Sequence, residues 1–265
     1  MKFYNKTRKT KSIPLKLLKC GKWHLIPLYF LFSTSYLASE GIKNGGSYKF
    51  ADHVYNGKPK GRFLIGSVLD SIFLNMPSAK AMRFRYKRSK QELKRIINNS
   101  KKRRLDVLAI PSGLGREIFE ANKEIGNDQI NYHFIDLDKG LINKLGADNT
   151  KNNFFFHSGD ALDKKTYYKN FDIIVSLGMV DFLDDRKTLL FYKIIKNKLN
   201  KGGFFISSGM REHKLTNYLL KNLGELNAVY RSTETLIKLS KRAGFRSVKT
   251  YEDKTGLQTM VIAKK

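Results

Sequence analysis

From residue 105 onward the chain alternates short apolar stretches with longer segments of helical periodicity. The stretches that predict strands are 105–110, 132–137, 153–157, 171–177 and 203–208. Such alternation is typical of a parallel sheet with helices on both faces. Two more apolar stretches, 246–251 and 258–263, lie too close together for a helical crossover. They predict an antiparallel pair at the end of an α/β sheet.

The first hundred residues carry helical patterns. An apolar set at i, i+3, i+4 and i+7 predicts one helical face that packs on another element: Ile65, Val68, Leu69 and Ile72. Pro77 then opens a second helix that we expect over 79–98, with a narrow apolar stripe among many cations. We therefore expect a basic arm over 1–22, a helical N-terminal cap over 23–100 and the α/β domain over 101–265.

Residues 23–38 are almost entirely apolar and contain Pro27. The stretch is too short for a membrane span, which needs about 20 apolar residues. It fits a plain packing helix, a helix that docks at a membrane interface, or a secretory signal.

Charge changes this picture. The 265 residues carry a net charge of +28. Residues 1–104 hold 25 basic and 4 acidic side chains, a net of +21, so residues 105–265 hold only +7. Eight of the cations lie in 1–22, where there is no acid. The asymmetry predicts an anionic partner.

Cysteine and histidine content narrows the class of protein. The single Cys20 excludes an internal disulfide framework, and the five histidines show no paired ligand spacing. The sequence therefore predicts no metal site and a reducing, cytoplasmic setting, with peripheral contact at the inner face of the membrane as an open expectation.

A glycine-containing turn follows the first predicted strand. Gly113 and Gly115 allow a tight backbone turn, and the helix expected from about Leu114 directs free N–H groups towards an anionic group. The second strand ends in Asp136, 21 residues after Gly115, near the offset at which an acid binds ribose hydroxyls. Asp138 fits better as a helix cap. Asp160 follows the third strand and adds a second carboxylate at the same edge of the sheet.

These motifs resemble those of the class I S-adenosylmethionine-dependent methyltransferases over about residues 100–265. The resemblance includes the glycine loop, the FIDLD and GDA acids, Phe171 to Gly178, Leu199 to Phe204, and the AGF segment at 243–245. More narrowly, the chain is similar to a bacterial group in which segments like 45–88 and 230–236 accompany this domain. The resemblance implies a Rossmann-like, seven-stranded, mostly parallel sheet with a C-terminal antiparallel strand, plus a helical N-terminal extension.

The resemblance also implies a set of residues that bind S-adenosylmethionine. The loop would line its methionine part, Asp136 would bind the ribose and Asp160 with Ala161 would bind the adenine; the full set is Pro111, Ser112, Gly113, Gly115, Asp136, Leu137, Asp160, Ala161 and Ser176. One departure is that Ala109 and Pro111 stand where the family has an acid and a glycine. This change restricts the freedom of the loop.

Three residues are catalytic candidates. Asp181, after the fourth strand, is either a base or the N-cap of a helix near Phe182. Tyr230 and Arg231 are expected across the cleft, where the Arg231 guanidinium would clamp a phosphate or carboxylate of the substrate. For His157 we expect a packing role.

Three functions are compatible with the sequence. The first is a methyltransferase that acts on an anionic lipid-like or small-molecule acceptor at an anionic membrane. The second is an RNA methyltransferase, for which the basic helix interleaved with Phe84 and Tyr86 would contact phosphates and bases. The third is a non-catalytic binding protein that keeps the fold.

Overall fold

The computed structural model describes residues 13–265, and seven of its segments form one sheet. The strands are β1 (Leu105–Ala109), β2 (Ile130–Asp136), β3 (Phe154–Ser158), β4 (Phe171–Ser176), β5 (Leu199–Met210), β6 (Ser247–Glu252) and β7 (Gln258–Lys264). Their order is β3-β2-β1-β4-β5-β7-β6, and β7 is antiparallel to both of its neighbours. This is the class I methyltransferase fold, and it confirms the predicted mostly parallel sheet with its C-terminal antiparallel strand.

Burial explains why these stretches are strands. Every residue of β4 is buried, and β7 is buried as far as Ala263. Continuous apolar runs of this kind are stable only where helices cover both faces of the sheet. The edge strand β6 has no fully buried residue, in keeping with its position.

Helices follow the strands as the periodicity predicts. They are α7 (Arg116–Ile125), α8 (Lys139–Asp148), α9 (Asp185–Lys198), α10 (Lys214–Leu223) and α11 (Thr233–Arg242). Before the sheet come α1 (Ile13–Lys19), α2 (Leu25–Phe32), α3 (Tyr36–Asn44), α4 (Tyr48–Asn56), α5 (Phe63–Asn75) and α6 (Pro77–Asn98). Helix α6 begins at Pro77 itself, a residue whose fixed φ and missing N–H suit the first helical position.

The chain divides into two compact units. Among the described residues, unit 1 comprises 13–83 together with 212–228, and unit 2 comprises 84–211 and 229–265. The division falls inside α6 and gives α10 to the N-terminal helices. The expected ranges 1–22, 23–100 and 101–265 stay predictions.

Unit 1 contains two small apolar clusters. One combines buried residues from α1, α2, α3 and α10: Ile13, Leu17, Leu25, Ile42 and Leu223. The other combines residues from α3 to α6: Leu37, Val54, Leu74 and Ala79. The predicted basic arm is therefore in part a packed helix, since Ile13 and Leu17 of α1 are buried. The rest of that prediction, residues 1–12, lies outside the described residues.

The apolar stretch 23–38 forms the eight-residue α2 and the start of α3. Leu25 is buried, whereas Trp23 and Phe30 are exposed. None of the helices in the part of the chain that the structure describes has the length and apolar character to cross a membrane.

The prediction for α5 was wrong in one respect. Its apolar face was expected to pack, but Ile65, Val68 and Ile72 are all exposed. The buried side of α5 is formed by Gly66, Asp70 and Leu74 instead. The reason is that a buried carboxylate network at Asp70 and close backbone contacts at Gly66 anchor this helix by its less apolar side.

Candidate functional site

The carboxyl ends of β1, β2 and β4 meet at one edge of the sheet in unit 2. Strand β1 lies between β2 and β4, with Ala109 level with Phe134 on one side and Val175 on the other. After β1 the strand order runs outwards through β2 to β3, and the chain then returns to β4 on the other side of β1. This edge is therefore the switch point at which doubly wound sheets bind ligands.

The loop 110–115 is tied to both neighbouring strands. Ile110 donates its N–H to the Val175 carbonyl at 2.9 Å, and Ser112 donates to the Ile135 carbonyl at 2.8 Å. The Ile110–Pro111 peptide bond is cis. The backbone of the predicted methionine loop is thus anchored on β4 and on β2.

Gly115 is required at the end of this loop. It has φ +60°, and a β-carbon there would lie 2.5 Å from the buried Phe134 ring. Only glycine accepts both the left-handed backbone and this close approach. Helix α7 then begins at Arg116, two residues later than expected.

The Asp136 carboxylate lies beside the loop. Its Oδ2 accepts the Gly113 N–H at 2.9 Å, and its Oδ1 accepts the Asp138 N–H at 3.1 Å. Burial raises the pKa of Asp136, and these backbone bonds oppose that rise. Asp138 caps α8 as expected, since its side chain accepts the Leu141 N–H at 3.0 Å. Asp136 is therefore the acid that is oriented towards the loop.

The GDA segment follows β3 and is fixed next to β2. Gly159 donates its N–H to the Asp136 carbonyl at 2.9 Å. The Asp160 carboxylate accepts the Leu162 N–H at 2.9 Å, and the Ala161 carbonyl accepts the Tyr167 hydroxyl at 2.8 Å. Two carboxylates thus follow adjacent strands, as the sequence predicted.

These residues fit a nucleoside ligand. Asp136 and Asp160 are half-buried and Leu137 is exposed, so these three residues all have some surface at this edge. The Ser176 hydroxyl, at the end of β4, is buried and has no hydrogen-bond partner among the described residues. Acceptors for sugar hydroxyls and an adenine amino group are what S-adenosylmethionine requires. The fit applies to the ribose and adenine parts, while Ala109 and Pro111 keep the methionine end different from the family pattern.

Asp181 lies in a 3-10 turn, residues 180–182, after β4. It does not cap a helix: α9 starts at Asp185 and is capped by Asp184. The Asp181 carboxylate is buried, accepts the Met210 N–H at 3.1 Å and lies 3.6 Å from a guanidinium nitrogen of Arg85. Burial raises its pKa to about 6 even though Arg85 opposes that rise.

Arg85 was not among the predicted site residues. It is buried, and its Nη1 lies 3.1 Å from the place that a β-carbon of Gly178 would occupy. Its charge also acts on Glu117 of α7, whose pKa is raised by burial to about 7. The sequence showed Arg85 only as one of many α6 cations. In the structure it lies on the same side of α6 as Ala81 and Ser89, four residues away in each direction and both buried.

Arg231 is engaged within the protein. Its Nε donates to Asp185 at 2.8 Å, Nη1 to the Val180 carbonyl at 2.7 Å and Nη2 to the Leu183 carbonyl at 2.5 Å. The side chain is buried and holds the turn that contains Asp181. Clamping a substrate anion would require these bonds to break. Tyr230, next to it, is half-buried.

Most of the cations of α6 in unit 2 form ion pairs, including Arg85 with Asp181. Arg88 and Arg95 pair with Glu92, while Lys90 and Lys94 pair with acids of α7. Tyr86 is buried. Five of the six cations thus have an acidic partner, while Lys87 is exposed. An RNA substrate for this basic helix stays a prediction.

Comparison with known proteins gives a family. Residues 12–265 match the model of a family described as "Putative methyltransferase". No curated protein matches the chain in sequence.

Solved structures share the fold. A possible exported protein from Bordetella parapertussis has a TM-score of 0.78 at 17% identity, over 97% of this chain and 94% of its own. The magnesium protoporphyrin IX methyltransferase from Synechocystis PCC 6803, solved with bound SAH, has a TM-score of 0.54 at 11% identity, over 81% of this chain and 93% of its own. The CurJ carbon methyltransferase has a TM-score of 0.60 at 16% identity, over 98% of this chain and 72% of its own. At these identities the likeness shows the fold alone.

Proposed function

The chain belongs to the putative methyltransferase family, and from this membership we propose that it transfers a methyl group from S-adenosylmethionine to an anionic small-molecule or lipid-like acceptor. The observation that carries the proposal is the bond between the Gly113 N–H and the Asp136 carboxylate. It joins the glycine loop after β1 to the acid after β2. A packing role alone would not need an accessible carboxylate in that position.

The cofactor-binding residues have separate roles in this proposal. Asp136 accepts the ribose hydroxyls, with Leu137 beside it, and Asp160 and Ala161 bind the adenine amino group. Pro111, Ser112, Gly113 and Gly115 hold the methionine part, and the Ser176 hydroxyl supplies a further polar contact. When bound, the cofactor supplies an electrophilic methyl group on a sulfonium. A fold neighbour with bound SAH supports this choice of ligand.

Asp181 is the proposed proton acceptor for the nucleophile of the acceptor molecule. Because its pKa is raised to about 6, its carboxylate is largely ionised at neutral pH and yet basic enough to take a proton. Arg231 contributes by positioning, since it holds the Val180 and Leu183 carbonyls on either side of Asp181. Arg85 lies beside the Asp181 carboxylate, and Tyr230 precedes Arg231 in the sequence.

An anionic acceptor is supported by charge. The chain carries a net charge of +28, and residues 1–104 account for +21 of it. A field of this sign concentrates anions near the protein. The proposal does not use Arg231 as the anion clamp, because its donors already have partners.

The test is cofactor binding by Asp136→Asn. The substitution keeps one oxygen that can accept the Gly113 N–H, but it removes the charge that strengthens hydrogen bonds from ribose hydroxyls. We expect the wild type to bind S-adenosylmethionine and its demethylated product in calorimetry. We expect the variant to bind both at least about tenfold more weakly.

The matched control is Asp138→Asn, two residues away. Asparagine also caps helices well, so this variant is expected to keep both stability and cofactor affinity. A wild type that binds neither ligand would overturn the proposal. Equal affinity in the wild type and in Asp136→Asn would remove the ribose assignment.

A further inference from the structure

Helix α5 in unit 1 presents an apolar face to solvent. We call this the α5 face, and it consists of Leu64, Ile65, Val68 and Ile72. The four side chains are between 51% and 80% exposed, and they lie within about one third of the helix circumference. Phe63, at the start of the helix, is 84% exposed. The one charged residue of α5 is Asp70, which is buried. An exposed apolar patch of this kind marks an interaction site.

A cationic segment leads directly into this face. Lys58, Lys60 and Arg62 are exposed, and we call them the basic loop. From 53 to 69 the sequence has no acidic residue. Apolar side chains next to uncompensated cations are the combination that adsorbs to anionic lipid surfaces.

The basic loop and the α5 face are held together by Asp70. Its carboxylate accepts hydrogen bonds from the Ser35 hydroxyl at 2.5 Å, the Leu37 N–H at 2.9 Å and the Lys60 N–H at 2.8 Å, and it lies 3.0 Å from His53 Nε2. The carboxylate therefore fixes the basic loop against α5 and against α3.

Two glycines bring the same segments close together. A β-carbon on Gly61 would lie 2.0 Å from the backbone of Gly66, and one on Gly66 would lie 2.4 Å from the Thr34 carbonyl oxygen. Arg62 also donates its N–H to Thr34 at 2.8 Å. The basic loop is thus packed closely against the start of α5, which gives the exposed surface a defined shape.

Phe63 adds a second, independent observation. Its φ is +55°, a left-handed value that is unfavourable for a bulky aromatic residue. Strained backbone of this kind is concentrated at ligand clamps and binding segments. This backbone places the exposed Phe63 ring between the basic loop and the α5 face in sequence.

We propose that the basic loop, Phe63 and the α5 face together dock the protein peripherally on an anionic phospholipid bilayer. The cations meet the headgroup phosphates, and the apolar side chains enter the interfacial layer. The thirteen residues of α5 are too few to span the hydrocarbon core, so the contact is made at one leaflet.

Charge favours a bilayer over a second copy of the chain. Two copies meeting through this surface would bring two basic loops together on chains of +28 each. An anionic bilayer offers the opposite charge. The inference does not rest on methyl transfer, although it would bring the protein to a lipid-like acceptor.

The experiment is cosedimentation of the full chain with vesicles. We expect the wild type to bind vesicles that contain phosphatidylglycerol and to bind pure phosphatidylcholine vesicles at least about tenfold more weakly. We expect Leu64→Gln with Val68→Gln to weaken binding to the anionic vesicles on the order of tenfold or more. Lys58→Gln with Lys60→Gln should weaken it as well and reduce its dependence on salt.

The matched control is Leu190→Gln, an exposed leucine on α9 of unit 2. It should bind vesicles like the wild type, and all variants should unfold at the wild-type temperature because the altered side chains are exposed. The proposal is overturned if the wild type does not sediment with anionic vesicles, if it binds both vesicle types equally, or if the Leu64/Val68 variant binds like the wild type. It is also overturned if the Leu64/Val68 variant instead abolishes a dimer seen by analytical ultracentrifugation.

Discussion

A buried carboxylate beside a guanidinium can be stable as the ion or as the acid. For Asp181 burial outweighs the attraction of Arg85, so the pKa is raised from 3.8 to about 6. A raised pKa means that the folded state holds the proton more tightly than the unfolded state does. The contribution of Asp181 to stability is then complete below about pH 4 and is lost as the pH rises through about 6.

Asp181→Asn should therefore flatten the dependence of stability on pH. Asparagine imitates the protonated acid and its Oδ1 still accepts the Met210 N–H. From pH 4 to pH 7 we expect the wild type to lose about 2–3 kcal/mol of its free energy of unfolding through Asp181. The variant lacks this titrating group and should not show that loss. Urea unfolding at a series of pH values measures this.

Asp184→Asn is the matched control for this pH dependence. Asp184 is exposed and caps α9, a role that asparagine also fills. Its stability curve should run parallel to that of the wild type. Parallel curves for Asp181→Asn as well would contradict the raised pKa and, with it, the proposed role as a proton acceptor.

At the scale of the element, the start of α7 depends on one close contact. Gly115 and Gly126, which flank this helix, both have a left-handed backbone, with φ +60° and +63°. The two glycines differ in the room around them. A β-carbon on Gly115 would lie 2.5 Å from Phe134, whereas one on Gly126 would have nothing within 4 Å. The Phe134 ring cannot move freely, since it is buried and stacked on Phe119 and Phe156.

Gly115→Ala should accordingly cost more than Gly126→Ala. The left-handed backbone costs each variant about 1–2 kcal/mol. Gly115→Ala carries the steric overlap in addition, so we expect a loss of about 3–5 kcal/mol in the free energy of unfolding. Denaturant unfolding of both variants measures the difference, and equal losses would show that the loop can move away from Phe134.

The elements differ in how far sequence alone predicted them. The seven strands followed from local apolar runs, and the sheet buries the central ones along most of their length, as in β1, β2 and β4. Asp136 followed from its spacing to Gly115. For α5, periodicity showed which side is apolar but not whether another element covers it. Arg85 was missed because a cation in a basic helix has no local mark of burial.

At the scale of the molecule, unit 1 is assembled from chain segments about two hundred residues apart. Leu17 of α1 and Leu223 of α10 belong to one buried cluster. No local pattern could have joined them, since both helices are short and the partner of each is distant in sequence. The contact between α1 and α10 is therefore visible only in the structure.

Leu17→Ala should loosen α10 as well as α1. Leu17 is 4% exposed and its truncation should cost about 2–5 kcal/mol, whereas Leu15→Ala, at a position that is 61% exposed, should change stability by less than about 0.5 kcal/mol. Hydrogen exchange of the amides of α10 provides the readout. Exchange in α10 that is equally slow in both variants would contradict the shared cluster.

The same discontinuity imposes an order on folding during synthesis. The N-terminal helices leave the ribosome first, but their packing partner α10 comes about two hundred residues later. At translation rates of about 5–20 residues per second, that interval is about 10–40 s. Throughout it, the apolar side chains of α1 and α2 lack Leu223, and β1 to β5 are all synthesised before α10. The packing of α1 and α2 in unit 1 is thus completed only after the strands β1 to β5 have been synthesised.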